Sequence, residues 1–78
     1  MTISGEQVRR ARHLFRLTRL ELADKSRVSL GTVKKMEAGV TQPTLFYVLA
    51  IQHALESAGV IFVEENGEGP GVRLRKGK

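Results

Sequence analysis

Arg19, Ser29, Lys34 and Lys35 are the side chains that first invite a chemical reading, because a hydroxyl is followed five residues later by adjacent lysines. Guanidinium, ammonium and hydroxyl groups bind anions by charge and by N–H or O–H donation. The chain offers no competing catalyst: no nucleophile–base pair is evident, and the glycine-rich run ENGEGPG (65–71) lacks the lysine and following helix of a phosphate-cradling loop. Cysteine is absent, and His13 and His53 stand far apart without companion ligands, so no metal site is expected. The chemistry implied is binding, with no catalytic residue and no cofactor.

Charge is distributed unevenly. Residues 1–40 carry nine basic side chains (Arg9, Arg10, Arg12, Arg16, Arg19, Lys25, Arg27, Lys34, Lys35) against four acidic ones, and residues 41–71 carry no basic and four acidic ones (Glu56, Glu64, Glu65, Glu68). Arg73, Arg75, Lys76 and Lys78 then close a chain of net charge +5. A basic block beside an acid-only block suits one face that meets a polyanion. Ordinary surface solvation is the competing reading of charge alone.

At 78 residues the chain is one domain at most, of a size at which a single core is marginal and a partner subunit helps. Without cysteines an intracellular setting is the simplest expectation. No apolar run approaches the roughly 20 residues that cross a bilayer, and the N-terminus lacks the basic-then-apolar order of a signal peptide, so a cytoplasmic protein without a membrane role is expected.

The elements that must position these residues follow from caps and periodicity. Ser4 and Gln7 have capping-box spacing, and Val8, Ala11, Leu14 and Phe15 recur at helical intervals, which predicts a first helix over residues 5–16 with Arg9, Arg10, Arg12 and Arg16 on its polar face. One helix cannot offer all four arginines to one backbone, so at least half should be solvated. Thr18 and Glu21 repeat the capping box ahead of a short second helix, Arg19–Ser26. Ser29 caps a third, to about residue 38, with Val33 and Met36 inward and Ala38-Gly39 as its stop. Gln42-Pro43 suits the entry of a fourth, over residues 43–57, with Leu45, Val48, Ile51 or Gln52, and Leu55 inward. Phe46, Tyr47, Leu49 and Ala50 make that helix apolar around more of its circumference than a surface helix needs, so it should be central or shared with a second subunit. VIFVE (60–64) and VRLRK (72–76), separated by turn formers, predict a β-hairpin.

Two short helices joined by the tight break Ser26-Arg27-Val28 make a helix-turn-helix unit. With Val33 and Met36 inward, Leu30, Gly31, Lys34 and Lys35 point out from the turns of the second of these helices that reach base edges in a major groove. The run LTRLELADKSRVSLGTVKKMEAGVTQP resembles the Cro/C1-type, or Xre-type, helix-turn-helix family of bacterial and phage regulators. Leu17, Thr18, Leu22, Ala23, Val28, Ser29, Thr32, Val33, Glu37 and Gly39 match its pattern at fixed spacing. The resemblance covers about residues 5–57 and implies a mainly α, four-helix domain that binds double-stranded DNA. It implies that Ser29 caps the recognition helix and touches a phosphate, that Leu30, Gly31, Thr32, Lys34 and Lys35 lie on the DNA-facing surface, and that Glu37 is structural and holds the following loop. Arg19 stands where the family usually has a glutamine that anchors to phosphate. Arg27 replaces the customary turn glycine, which at a left-handed position costs on the order of 1 kcal/mol. Leu30 and Gly31 replace longer polar side chains; leucine suits a thymine methyl and glycine a close approach.

The expected organisation is a helix-turn-helix domain over 1–58 and a hairpin extension over 59–78. The hairpin either lies on its own fourth helix or pairs with a second copy. A homodimer on a partly palindromic operator is the favoured arrangement. The alternative is a protein-interaction module on the same fold, an antiactivator or the antitoxin of a toxin–antitoxin pair, with Leu20, Leu30, Phe46 and the apolar strand as contacts.

Overall fold

The computed structural model describes residues 2–39, 44–64 and 71–74. Within them run four helices and two strands: α1 (Gly5–Leu14), α2 (Arg19–Ser26), α3 (Leu30–Ala38), α4 (Leu45–Ala58), β1 (Val60–Phe62) and β2 (Val72–Leu74). This mostly helical architecture with a C-terminal hairpin is the one expected.

Both capping boxes form. Ser4 Oγ accepts from the Gln7 N–H at 3.1 Å while Gln7 Oε1 accepts from the Ser4 N–H at 2.9 Å, and Thr18 with Glu21 does the same at 3.0 and 2.8 Å. Helix α1 ends two residues before the expected position. Arg16 turns left-handed (φ 56°), so the Arg16 N–H reaches the His13 carbonyl and the Leu17 N–H reaches Arg12. That pair of bonds closes a helix in the Schellman manner. Arg27 also is left-handed (φ 61°), as its place in the glycine position of the turn required, and the Val28 N–H reaches back to Ala23. The Ser26 hydroxyl donates to the Leu22 carbonyl at 2.7 Å inside the same turn.

The core unites all the elements except β2. Val8 and Ala11 of α1, Leu22 and Ala23 of α2, Val33 and Met36 of α3, and Val48, Ile51 and Leu55 of α4 are buried with Ile3 and Val60. Phe15, Leu17, Val28, Phe62 and Val72 pack against them from the side. Ile51 rather than Gln52 takes the inward position on α4. Leu14 is only half-buried. Leu45 departs from expectation: it is 61 % exposed, because α4 meets the core from Val48 onward and its first turn stands clear. The expected entry at Pro43 lies outside the described residues.

The strands pair antiparallel within the chain, Val60 opposite Leu74, Ile61 opposite Arg73 and Phe62 opposite Val72. A lone hairpin is barely stable in water, and this one is fastened. Gln7, buried in α1, donates through Nε2 to the carbonyls of Val63 (2.8 Å) and Gly71 (3.1 Å). One side chain thereby caps its own helix and holds both arms of the hairpin. The remaining stretch of loop, 65–70, and the arm beyond Leu74 lie outside the described residues.

Candidate nucleic-acid interface

Helix α3 begins at Ser29, whose Oγ accepts from the Thr32 N–H at 3.0 Å and shares a 2.9 Å bond with the Thr32 hydroxyl. One hydroxyl proton is used in that mutual bond and the other stays available to an outside acceptor. The N–H groups of Leu30 and Gly31, in the first turn, have no intrahelical partner and point the same way. Ser29, Gly31, Lys34 and Lys35 are exposed and Thr32 is half-buried. Leu30 differs from expectation: it is half-buried and packs against the core, which leaves only part of its side chain to touch anything outside.

Glycine 31 is informative because of what surrounds it. Among the described residues, a Cβ added there would meet nothing closer than Ser29 Oγ at 3.8 Å, an ordinary contact. Glycine forms helix less readily than alanine, and among the described residues no packing contact calls for it.

Behind the lysines lies an ion network. The Glu37 carboxylate, 2 % exposed, accepts from Arg12 Nε at 2.8 Å on one oxygen, and from Arg12 Nη2 at 3.0 Å and Arg19 Nε at 3.2 Å on the other. Arg12 also donates to the Leu17 carbonyl at 3.0 Å. Arg12 was expected on the polar face of the first helix; it is buried because Glu37, a helix away, neutralises it in a bidentate pair. Two guanidiniums on one carboxylate leave a surplus positive charge. Arg19, with its side chain 46 % exposed and its Nε donating to Glu37, carries that surplus. The glutamate's expected contact with the following loop falls on residues 40–43, outside those described.

Arg9, Arg19, Lys34, Glu37 and Ala38 line one shallow depression. Three cations from three helices thus surround an acid already fully engaged, an arrangement suited to phosphate oxygens. Arg9 was legible only as one of four arginines on the first helix; its spacing gave no sign that α1 would bring it beside Lys34.

The helix-turn-helix family model matches residues 8–58, through all four helices. The chain belongs to the Cro/C1-type helix-turn-helix family. It is therefore a helix-turn-helix protein of a DNA-binding, non-enzymatic family. None of the curated proteins compared with it matches the chain. Among the described residues no helix is long and apolar enough to cross a membrane.

Proposed function

We propose that the protein is a sequence-specific transcriptional regulator that binds as a homodimer to a partly palindromic operator in the cytoplasm, with residues 29–38 in the major groove. The observation that carries this reading is the outward face of α3: Lys34 and Lys35 are solvent-exposed beside Gly31, a glycine that the protein's own packing does not need. In this reading Gly31 lets the helix backbone approach the groove, Lys34 and Lys35 reach base edges or phosphates, the Ser29–Thr32 hydroxyl pair holds a phosphate, and Arg19 clamps another through its outer nitrogens. The family membership supports DNA as the ligand. The molecule extends 32 × 27 × 19 Å, so two copies side by side suit half-sites about 34 Å apart, one turn of duplex.

Fluorescence anisotropy on DNA from upstream of the protein's own gene and its neighbours, with excess nonspecific competitor, tests this. Saturable binding to one fragment that survives competitor is the expected result. Binding that competitor abolishes on every fragment refutes sequence specificity.

A second reading is favoured by the outward side of α4, where Leu45, Phe46 and Leu49 are all more than half exposed and Phe46 stacks edge-on against Tyr47 with centroids 5.6 Å apart. Such a patch suits a protein contact, either the second subunit or a different partner, as for an antitoxin or antiactivator. Light scattering at micromolar concentration separates these: a mass of twice 8.6 kDa supports the homodimer, and a monomer that co-purifies with another protein supports the alternative.

A further inference from the structure

The first turn of α1 rests on the backbone of the recognition helix. At Gly5 an added Cβ would lie 2.0 Å from the carbonyl oxygen of Met36, 3.0 Å from its carbonyl carbon and 3.2 Å from the Cα of Glu37. All three are main-chain atoms, so no rotamer change relieves the overlap.

We propose that Gly5 is a positioning residue for DNA recognition: its missing side chain sets the angle at which α3 leaves the core. The proposal rests on the reading of α3 as the recognition helix. Met36 and Glu37 lie in the last turn of α3, at the end away from the Ser29 cap. Restoring ordinary contact at Gly5 means opening the gap from 2.0 Å to about 3.4 Å, a movement of about 1.4 Å. Helix α1 is the less free of the two partners. Val8 and Ala11 are wholly buried, and Gln7 is held by four hydrogen bonds, two within the α1 capping box and two to the hairpin. Helix α3 by contrast buries only Val33 and Met36. Seven residues separate Ser29 from Met36, about 10 Å at 1.5 Å per residue, so the displacement tilts α3 by about 8° around its capped end. The side chains of Lys34 and Lys35 ride on that tilt.

The test compares Gly5→Ala with Val60→Ala, a core truncation in the hairpin that leaves the Gly5–Met36 contact as it is. Residual dipolar couplings of the full chain report the direction of α3 relative to α1 and α4. Gly5→Ala should rotate α3 by about 5–10°, and Val60→Ala should leave it in place. Anisotropy then compares a duplex selected from a random pool by the wild-type protein with a scrambled duplex of the same composition. For Gly5→Ala the preference for the selected duplex should fall about tenfold or more, the scale of a misaligned base contact, while binding to the scrambled duplex stays within about twofold. Partial unfolding lowers both affinities together and leaves their ratio unchanged, as expected for Val60→Ala. If Gly5→Ala is largely unfolded, the couplings are taken in sucrose, which favours the compact state. An unchanged α3 direction overturns the proposal, as does a chain that stays unfolded in sucrose. A wild-type protein that shows no preference among duplexes instead refutes the regulator reading, and the couplings still decide the role of Gly5.

Discussion

Replacing Glu37 with glutamine keeps the shape of the side chain and removes the charge that two arginines share. In the wild type the carboxylate accepts three N–H bonds between 2.8 and 3.2 Å, with the Glu37 side chain 2 % and that of Arg12 10 % exposed. An amide offers one oxygen, and its NH2 group faces a guanidinium donor. Arg12 would then be a buried cation without a counterion, a situation that costs about 3–5 kcal/mol. A domain of 78 residues has about 4–12 kcal/mol to lose, at roughly 0.05–0.15 kcal/mol per residue. Glu37→Gln should therefore lower the melting temperature by at least about 12 °C, taking about 4 °C per kcal/mol as the lower bound for this size. Circular dichroism at increasing temperature and urea unfolding read the loss. Two companions sharpen it. Arg19→Ala should cost less than about 1 kcal/mol, because that partner is half in water. The double replacement Arg12→Met with Glu37→Gln should recover part of the loss, since the stranded charge has gone. A Glu37→Gln protein within about 1 kcal/mol of wild type, or an Arg19→Ala protein as damaged as Glu37→Gln, refutes the assignment of Glu37 as the fastening of α1 to α3.

Gly31→Ala should move stability and function in opposite directions: urea unfolding should show a gain of up to about 1 kcal/mol, while anisotropy shows weaker DNA binding, and unimpaired binding would remove the close-approach role of that glycine. Lys35→Ala should change which duplex sequences bind, whereas Arg9→Ala should weaken all duplexes alike and reduce the slope of log affinity against log salt by about 0.9; a salt slope unaffected by Arg9→Ala would take that arginine out of phosphate contact. Arg27→Gly relieves a left-handed arginine and should stabilise the fold by up to about 1 kcal/mol in denaturant unfolding, and a loss there would mean that the turn needs the arginine side chain. Gln7→Ala takes the side-chain donor from the Val63 carbonyl and one of two donors from the Gly71 carbonyl, and should cost about 1–3 kcal/mol, with amide exchange accelerated in Val60–Phe62 before it changes in α2.

The helix-turn-helix unit was legible because its signals are local. Thr18 with Glu21, Ser29 ahead of Val33, and the glycine position filled by Arg27 each lie within a few residues of the structure they specify. Contacts between distant segments left weaker traces. Arg12 sits in phase with Arg9 and Arg16, and periodicity alone assigns it to water; only its pairing with Glu37, 25 residues on, reverses that. Leu45 was read as core because α4 is apolar on most sides, and a helix without a clean stripe does not say which turn first meets its neighbours. Ile3, Val60 and the bonds of Gln7 depend on the hairpin folding back onto α1. The candidate site divides the same way: Ser29, Gly31, Lys34 and Lys35 were visible on one helix, while the company of Arg9 with Arg19 and Lys34 was made by packing three helices.

The bonds of Gln7 to Val63 and Gly71 span 56 and 64 residues of sequence, so they also bear on the order of folding. Contacts among α1, α2 and α3 close short loops and can form early, whereas seating the hairpin requires closing nearly the whole chain, at an entropic cost that grows with the logarithm of loop length. The hairpin should thus be the last part to settle and the first to leave. Mutations at Gln7 would then speed unfolding with little effect on the folding rate, while mutations at Leu22 or Val33 would slow folding itself. A domain whose helix-turn-helix assembles before the hairpin is seated has that unit in place while the chain is still closing.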